Sequence, residues 1–502
     1  MRTKLTVLNA LTSLVSMIIS SILSMISVRV VLVYLGSDYN GLNSTISQFM
    51  SVLTLVESGF TLAALVKLYA PYGKHDYLEV NRILSKTKLT LKKIGILMLL
   101  CGIAGSLVYA LFIDSSVEYP IIVLLFSFSV ATTAFNFAFV YKYRLVFQVT
   151  QHEYILYAVN IVQYVVMYGG MIAIICTTQN IIAARFFYLI ANIGGGLSIA
   201  AIAKKRFPFV SYTEDCSDVS ISGTRDLFIS KIVGVLYSSL TVFYMSVFIG
   251  TEQTSIYAVY NSAISLINSL INAALAAPQN SLGQIINTET EKAKKIVHEY
   301  EFTAILVAMI LFSTTMAMIL PFVRMYTSGV NDADYIHPQI AILMVIIAVL
   351  QIIHIPSGRC IELSGNFKAV RNIQSVTFVL LATLSAIGAA QYGVIGLLVA
   401  KMITNIVLAA MEIVYAHSKV VCIPVKNFLR VLVPNLLIAS SISWIEYTIL
   451  KNAVLSWGTF ILAGFALVLL NSLVAMTVGI LFYRSEMVSA WERYSRVLHL
   501  KK

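Results

Sequence analysis

The sequence predicts an all-α polytopic membrane protein. It has about 14 transmembrane helices, in two pseudo-symmetric six-helix lobes followed by two C-terminal helices. Three observations carry this reading. The 502-residue chain is 59% hydrophobic and only 12% charged, against about 25% charged residues in soluble domains. Lys and Arg alternate in density between successive inter-helical segments. A turn signature near residue 36 recurs near residue 250.

A helix needs about 20 apolar residues to cross a bilayer. Spans are predicted at 7–34, 43–66, 94–113, 119–140, 155–176, 181–203, 226–249, 256–280, 302–320, 338–357, 372–391, 393–415, 431–450 and 457–482. The first is read as a membrane helix, because no small-residue cleavage site follows a short apolar core. Alternate connecting segments are basic: Arg2/Lys4, Lys74 to Lys93, Lys142/Arg144, Lys204 to Arg225, Lys292 to Lys295, Arg359 to Arg371, Lys419 to Arg430 and Arg484 to Lys502. The intervening segments carry Asp38, Asp114, Glu118, Glu252, Asp332 and Asp334, with Arg324 and Lys451 as their basic residues. By the positive-inside rule both termini are cytoplasmic. The net charge of +12 is therefore expected to face anionic lipid rather than nucleic acid. The tail places Met487, Trp491, Tyr494 and Leu498 at helical spacing; it reads equally as an interfacial helix or a basic extension.

The repeat pairs Val33-Tyr34-Leu35-Gly36-Ser37-Asp38 with Val247-Phe248-Ile249-Gly250-Thr251-Glu252. It also pairs Arg144-Leu145-Val146-Phe147-Gln148 with Arg359-Cys360-Ile361-Glu362-Leu363 at nearly the same displacement. A six-helix repeat preserves orientation, so the halves are parallel repeats about an axis along the membrane normal. The expected division is 1–206 for the N-lobe and 207–225 for an inter-lobe loop. The C-lobe follows at 226–416, helices 13 and 14 at 417–483, and the tail at 484–502.

Of the five cysteines, Cys101 and Cys176 lie in spans, and Cys216, Cys360 and Cys422 in segments read as cytoplasmic. None forms a metal-type pair, so all are expected as free thiols. The short outer segments leave no room for a catalytic domain. No paired carboxylates or His/Asp/Glu cluster appear there, and no G-x-x-x-x-G-K-[ST] phosphate loop occurs. The chain is therefore read as a non-enzyme without metal or cofactor.

Charges inside spans cost at least about 2.5–3.5 kcal/mol each, so they mark candidate sites. They are Arg29 in helix 1, Glu57 in helix 2, Arg185 in helix 6, Lys231 in helix 7 and Lys401 in helix 12. Glu412 and Glu446 lie near span ends, and these two and Lys231 are close enough to an interface to snorkel. Arg29 and Glu57 either pair structurally or serve the cavity, and Lys401 has no obvious local partner. Helix 8 aligns Asn261, Ser265, Asn268 and Asn272 on one face. Helix 1 aligns Ser13, Ser16, Ser20, Ser24 and Ser27. Such stripes either pack helices together or line a hydrated cavity, the reading favoured for helix 8. His354, alone within a span, reads as structural.

With these elements in place the sequence resembles the polysaccharide-transport branch of the MOP (MATE-like) superfamily, the Wzx-type flippases of O-antigen and capsule repeat units. The resemblance rests on Y-L-G-S-D-Y-N-G-L-N at 34–43, L-V-E-S-G-F at 55–60, L-Y-A-P at 68–71, G-N-F-K-A-V-R-N at 365–372 and Y-G-V-I-G-L-L at 392–398. It implies a cationic cavity between two lobes and a polyprenyl-pyrophosphate-linked (undecaprenyl-type) oligosaccharide as substrate. It also implies residence in a bacterial cytoplasmic membrane, coupling to an H+ or Na+ gradient, and polysaccharide polymerase and chain-length proteins as partners. In that picture Arg29, Arg185 and Lys401 face pyrophosphate, the helix 8 asparagines face sugars, and Glu57 pairs with Arg29 or carries a coupling proton. The alternatives are a lipid II flippase, a MATE-type antiporter and, against the short outer loops, a membrane polymerase or glycosyltransferase.

Overall fold

The structure, a computed structural model, describes residues 2–219, 225–286, 290–453 and 456–488. The side chains of some helical residues, Glu57 and Lys231 among them, lie outside what is described. The described residues form helices and no strand. In order these are α1 (Arg2–Leu35), α2 (Ser37–Leu53), α3 (Leu55–Gly73), α4 (Tyr77–Ala110), α5 (Tyr119–Phe135), α6 (Tyr141–Val149), α7 (Glu153–Thr178) and α8 (Ile181–Arg206). They continue as α9 (Arg225–Phe248), α10 (Thr251–Ile285), α11 (Thr290–Tyr326), α12 (Pro338–Ile353), α13 (Ile355–Leu363), α14 (Phe367–Tyr415), α15 (Val425–Leu450) and α16 (Trp457–Phe482).

Each of the fourteen predicted spans falls on helix. Among the described residues, 10 helical stretches are long and apolar enough to cross a membrane, and the one over Phe367–Val420 holds two predicted spans. Those two are separated at Gly393, whose φ of 57° and ψ of −135° no continuing helix allows. The two arms approach so closely that a Cβ on Gly396 would lie 2.1 Å from the Gly388 carbonyl oxygen. Large apolar side chains such as Leu100, Phe465, Leu473 and Phe482 stand exposed. Lipid, not water, is the solvent in which that surface is stable.

Three segments differ from expectation. The second span is two helices, α2 and α3, joined at Thr54. Arg144, expected in a loop, sits on α6, which continues α5 through a π-helical turn at Asn136–Val140. Cys360, also expected in a loop, is fully buried in α13. All five cysteines are free. The tail is helical over 484–488, and Trp491, Tyr494 and Leu498 lie outside the described residues.

The chain divides into two compact units, Met1–Ser255 and Ile256–Lys502, so that α9 belongs with the first six spans. In unit 1, α1 packs chiefly on α7, and α2 packs on α9. One apolar cluster gathers Leu42, Ile46, Phe126, Ile175 and Ala184, and another Leu68, Leu84, Phe147, Ile199 and Phe207. The two turns of the internal repeat meet here. Gly36 and Gly250 both adopt positive φ, 93° and 112°. Asp38 accepts hydrogen bonds from the Ser116 and Thr251 hydroxyls. The Asn40 side-chain amide donates to Ser255 Oγ at 2.8 Å. Gly41 abuts the Thr251 carbonyl so tightly that a Cβ would fall 1.8 Å from its oxygen.

Unit 2 is centred on α11, which packs on α15, α16 and α12. Phe302, Ile305, Ile353, Phe428 and Tyr483 form its apolar cluster.

Candidate functional site in the interior of unit 1

Unit 1 brings cations, phenols and amides together from five helices. Arg185 on α8 donates through Nη2 to Asn43 Oδ1 on α2. Its guanidinium carbon lies 5.7 Å from the centre of the Tyr188 ring, one helical turn on. Tyr188 lies against Tyr168 on α7, their rings meeting edge-on at 5.9 Å. One turn earlier on α7, Tyr164 faces Ser20 of α1 and lies within electrostatic reach of Arg144 on α6. Arg144 itself stacks over the Tyr141 ring at 5.4 Å. The spacing explains the assembly. Tyr164 and Tyr168 are four apart and Arg185 and Tyr188 three apart, so each pair shares a helix face.

Both arginines keep a donor in reserve. Among the described residues, the Nε atoms of Arg144 and Arg185 are buried and have no hydrogen-bond partner. A buried, unmatched guanidinium donor is costly, and its natural complement is an oxyanion, which a guanidinium engages through two parallel N–H groups. Beside it, a second polar chain runs from Asn136 in the π turn. Asn136 Nδ2 donates to Asn192 Oδ1 at 3.0 Å, and Gln163 Nε2 donates to the Asn192 carbonyl at 3.4 Å. Amides, phenols and guanidinium groups are the donor set that binds sugar hydroxyls and phosphate oxygens.

The predicted residues are distributed as follows. Arg185 is in this network. Arg29 lies on α1, partly buried and engaged in contacts. Its pairing with Glu57, and the position of Lys231, fall on side chains outside the described set. The serine stripe of α1 has Ser16 and Ser27 buried and Ser20 near Tyr164 of α7, the helix on which α1 chiefly packs. Asn261 and Asn268 on α10 are partly buried and Asn272 is exposed, while the neighbouring Ile271 is buried. The Asn268 Oδ1 is buried with no partner among the described residues. Lys401 is buried in α14 within unit 2, at 7% exposure.

Unit 2 holds charges of the opposite kind. His417 Nε2 lies 2.8 Å from Glu301 Oε1, which also accepts from Ser357 Oγ at 3.3 Å. His417 Nδ1 faces the Ile423 carbonyl at 3.3 Å and therefore carries a hydrogen; one more proton is shared between Nε2 and the carboxylate. His354 Nδ1 lies 2.7 Å from Glu412 Oε2. Glu446 accepts from Asn471 Nδ2 at 3.3 Å, and the same amide reaches Thr314 at 3.1 Å. Glu412 and Glu446 are thus buried and bonded rather than snorkelling, and His354 is paired. A cavity of about 460 Å³ in this unit is apolar, lined by Met309, Phe312, Ile346, Leu436 and Trp444. Among the described residues, no group of three or more His, Cys, Asp or Glu is placed to hold a metal.

Sequence reasoning missed Arg144, counted as a loop residue, and the tyrosines of α7 and α8. The four-residue spacing of Tyr164 and Tyr168 was the available signal. Glu301 and His417 come together from residues far apart in sequence, and no local pattern announces them.

The sequence matches no protein-family model and no curated protein. Solved structures do match. The fold superposes on the lipid II flippase MurJ in an inward closed conformation with TM-score 0.66 and 18% identity, over 95% of this chain and 100% of that one. A MATE family multidrug transporter of the MOP superfamily, inward-facing, matches with TM-score 0.60 and 12% identity, over 81% and 96% of the two chains. A MATE protein in the straight conformation gives 0.55 and 13%, over 84% and 96%. The fold is that of the MOP-type transporters, and the chain is a multi-pass membrane protein.

Proposed function

We propose that the protein is a flippase that carries polyprenyl-pyrophosphate-linked oligosaccharide repeat units from the inner to the outer leaflet of a bacterial cytoplasmic membrane, for surface polysaccharide synthesis. The observation that carries this reading is the pair of buried, unmatched arginine donors, Arg144 and Arg185, set among tyrosines and amides in unit 1. Their charge suits a pyrophosphate, and the phenols and amides suit sugars. A carrier of organic cations would instead need carboxylates at that place. The basic segments put the termini, the 207–219 linker and the ends of α4, α6 and α8 on the cytoplasmic side.

In this reading the head group enters among the unit 1 cations while the lipid tail stays in the bilayer, and a change of conformation exposes it to the other side. Arg29 adds positive charge in the same unit, and Lys401 is a buried cation of unit 2. Replacement of either by Ala lowers transport with protein levels near wild type. An ion pair serving only the fold would instead lose the protein in the Arg29→Ala variant. The coupling ion is H+ or Na+.

Deletion with complementation is the test. Loss of the gene stops surface polysaccharide and accumulates lipid-linked repeat units on the inner side. Lipid II is the second substrate to weigh, because the MurJ match spans nearly the whole chain. In that case depletion blocks peptidoglycan synthesis and lyses the cells, and surface polysaccharide persists. Uptake of a cationic dye into vesicles in exchange for protons or sodium, with glycan lipids left in place, would assign the protein to the drug antiporters instead.

A further inference from the structure

We propose that unit 1 carries a binding site for the phosphate of an anionic membrane lipid, formed by Lys88, Lys92, Lys142 and Lys204 where the linker after α8 docks. Lys88 and Lys92 are four apart on α4 and share a face. Lys142 opens α6 and Lys204 lies in the last turn of α8. Lys88, Lys92 and Lys204 all lie within electrostatic reach of Lys142. Among the described residues no carboxylate pairs with any of the four. Like charges gathered from three helices without a counter-ion repel one another, and an anion at their centre removes that cost.

The site is shaped, not splayed. The Lys142 ammonium lies 5.1 Å from the centre of the Tyr143 ring and 5.5 Å from that of Tyr212, and the two rings meet edge-on at 5.4 Å. Lys88 Nζ donates to the Tyr212 carbonyl at 3.4 Å, and Tyr212 Oη donates to the Lys142 carbonyl at 3.4 Å. Burial, then the neighbouring Tyr143, pushes the Tyr212 hydroxyl well above its usual value, so it stays a neutral donor.

Tyr212 belongs to the linker, and the same face of α4 holds the rest of that linker down. Asn81 donates to the Phe209 carbonyl at 2.9 Å and accepts from the Ser211 amide at 2.9 Å. The Glu214 amide donates to Ser85 Oγ at 3.1 Å. Arg82 reaches the Asp215 carbonyl and the Asp218 carboxylate, both at 3.1 Å. A phosphate bound by the lysines therefore fixes the segment that leads from the first six spans to α9. The site is distinct from the Arg144–Arg185 network, because Lys142 and Arg144 are two apart on α6 and so leave it on opposite sides. Naming a lipid as the source rests on the orientation given under Proposed function; what the protein transports does not enter.

The full-length protein in phosphatidylcholine nanodiscs, with and without added phosphatidylglycerol, provides the test. Native mass spectrometry reads retained phosphatidylglycerol, and limited proteolysis reads the 207–219 linker. Each lysine near the surface contributes about fivefold to anionic-lipid affinity. The Lys88→Gln/Lys142→Gln variant should therefore lose retained phosphatidylglycerol by about twentyfold, and lose the lipid's protection of the linker. Lys368→Gln/Lys419→Gln, at exposed lysines of unit 2, should leave both unchanged. In pure phosphatidylcholine the Lys142→Gln variant should melt at or above the wild-type temperature, since repulsion is relieved. Retention and protection equal to wild type in the double variant would overturn the site. Protection by millimolar inorganic phosphate equal to that by phosphatidylglycerol would overturn the lipid source, and a lower melting temperature for Lys142→Gln in phosphatidylcholine would overturn the like-charge argument.

Discussion

The two units are built of the same kind of long apolar helices, yet their interiors partner charge differently. Unit 1 buries Arg144 and Arg185 among tyrosines. Unit 2 buries Glu301 with His417 and Glu412 with His354. The contrast is sharpest at repeat-related positions. Arg144 lies inside unit 1, whereas its counterpart Arg359 is exposed and pairs with Glu362 at 2.6 Å. Both corresponding helices are interrupted nearby, by the π turn at Asn136–Val140 and by the break at His354. The shared topology therefore needs neither charge sign. The difference separates their tasks: unit 1 offers unmatched donors, the Nε atoms of Arg144 and Arg185, while unit 2 sets its carboxylates against histidines and leaves unmatched acceptors, Glu301 Oε2 and Glu446 Oε1.

That contrast can be broken in graded steps. The largest effect is expected at Gly41→Ala, where the added methyl would meet the Thr251 carbonyl backbone, which cannot move aside cheaply. The expected outcome is loss of folded protein, read by fluorescence-detected size exclusion; a well-folded variant would show that the close approach of α2 to the first turn of α10 is dispensable. Next is unit 2. His417→Ala takes the charged partner from the buried Glu301 carboxylate and leaves it the Ser357 hydroxyl, at a cost of about 3–5 kcal/mol, and should lower the melting temperature sharply. Adding Glu301→Ala should recover part of that loss, because partners in contact are not additive; strictly additive losses would argue against the pair. Gly358→Ala would place a Cβ 2.5 Å from Glu412 Oε2. It should cost about 1–3 kcal/mol by pushing Glu412 off His354, again measured as a thermal shift.

At the unit 1 arginines the order reverses, with a small effect on stability and a large one on transport. Arg185→Gln should melt within about 1–2 kcal/mol of wild type and move substrate at least about tenfold more slowly. A variant that is unstable yet transports at the wild-type rate per folded molecule would make Arg185 structural. The smallest effect is expected at the linker. The Asp215 carboxyl is held below its ordinary value by the Ser217 amide and hydroxyl. Its turn is therefore intact at neutral pH and loosens only as pH falls through that lowered value, visible as faster linker cleavage by an acid-active protease.

The helices were legible because lipid imposes a single demand on each of them, a run of about 20 apolar residues. The repeat was legible because its turns need glycine at Gly36 and Gly250, where φ is positive. The break of the second span at Thr54 was not, since no proline or glycine marks it. Of the site, Arg185 was legible as a charge within a span. Arg144 was not, because α6 carries polar residues and its sequence alone looks like a loop end. The burial of Glu412 was missed because nearness to a span end says nothing about what packs over it; here Gly358 clears the space it occupies.

The account turns on unit 1 receiving the phosphate end of a lipid-linked glycan, and the lipid-linked glycan profile of a deletion strain complemented with Arg185→Gln tests this most directly. The prediction is accumulation of polyprenyl-pyrophosphate-linked repeat units and loss of surface polysaccharide, with the variant protein present in the membrane at wild-type abundance. An unchanged glycan-lipid pool and normal surface polysaccharide in both the deletion and the complemented strain would contradict it.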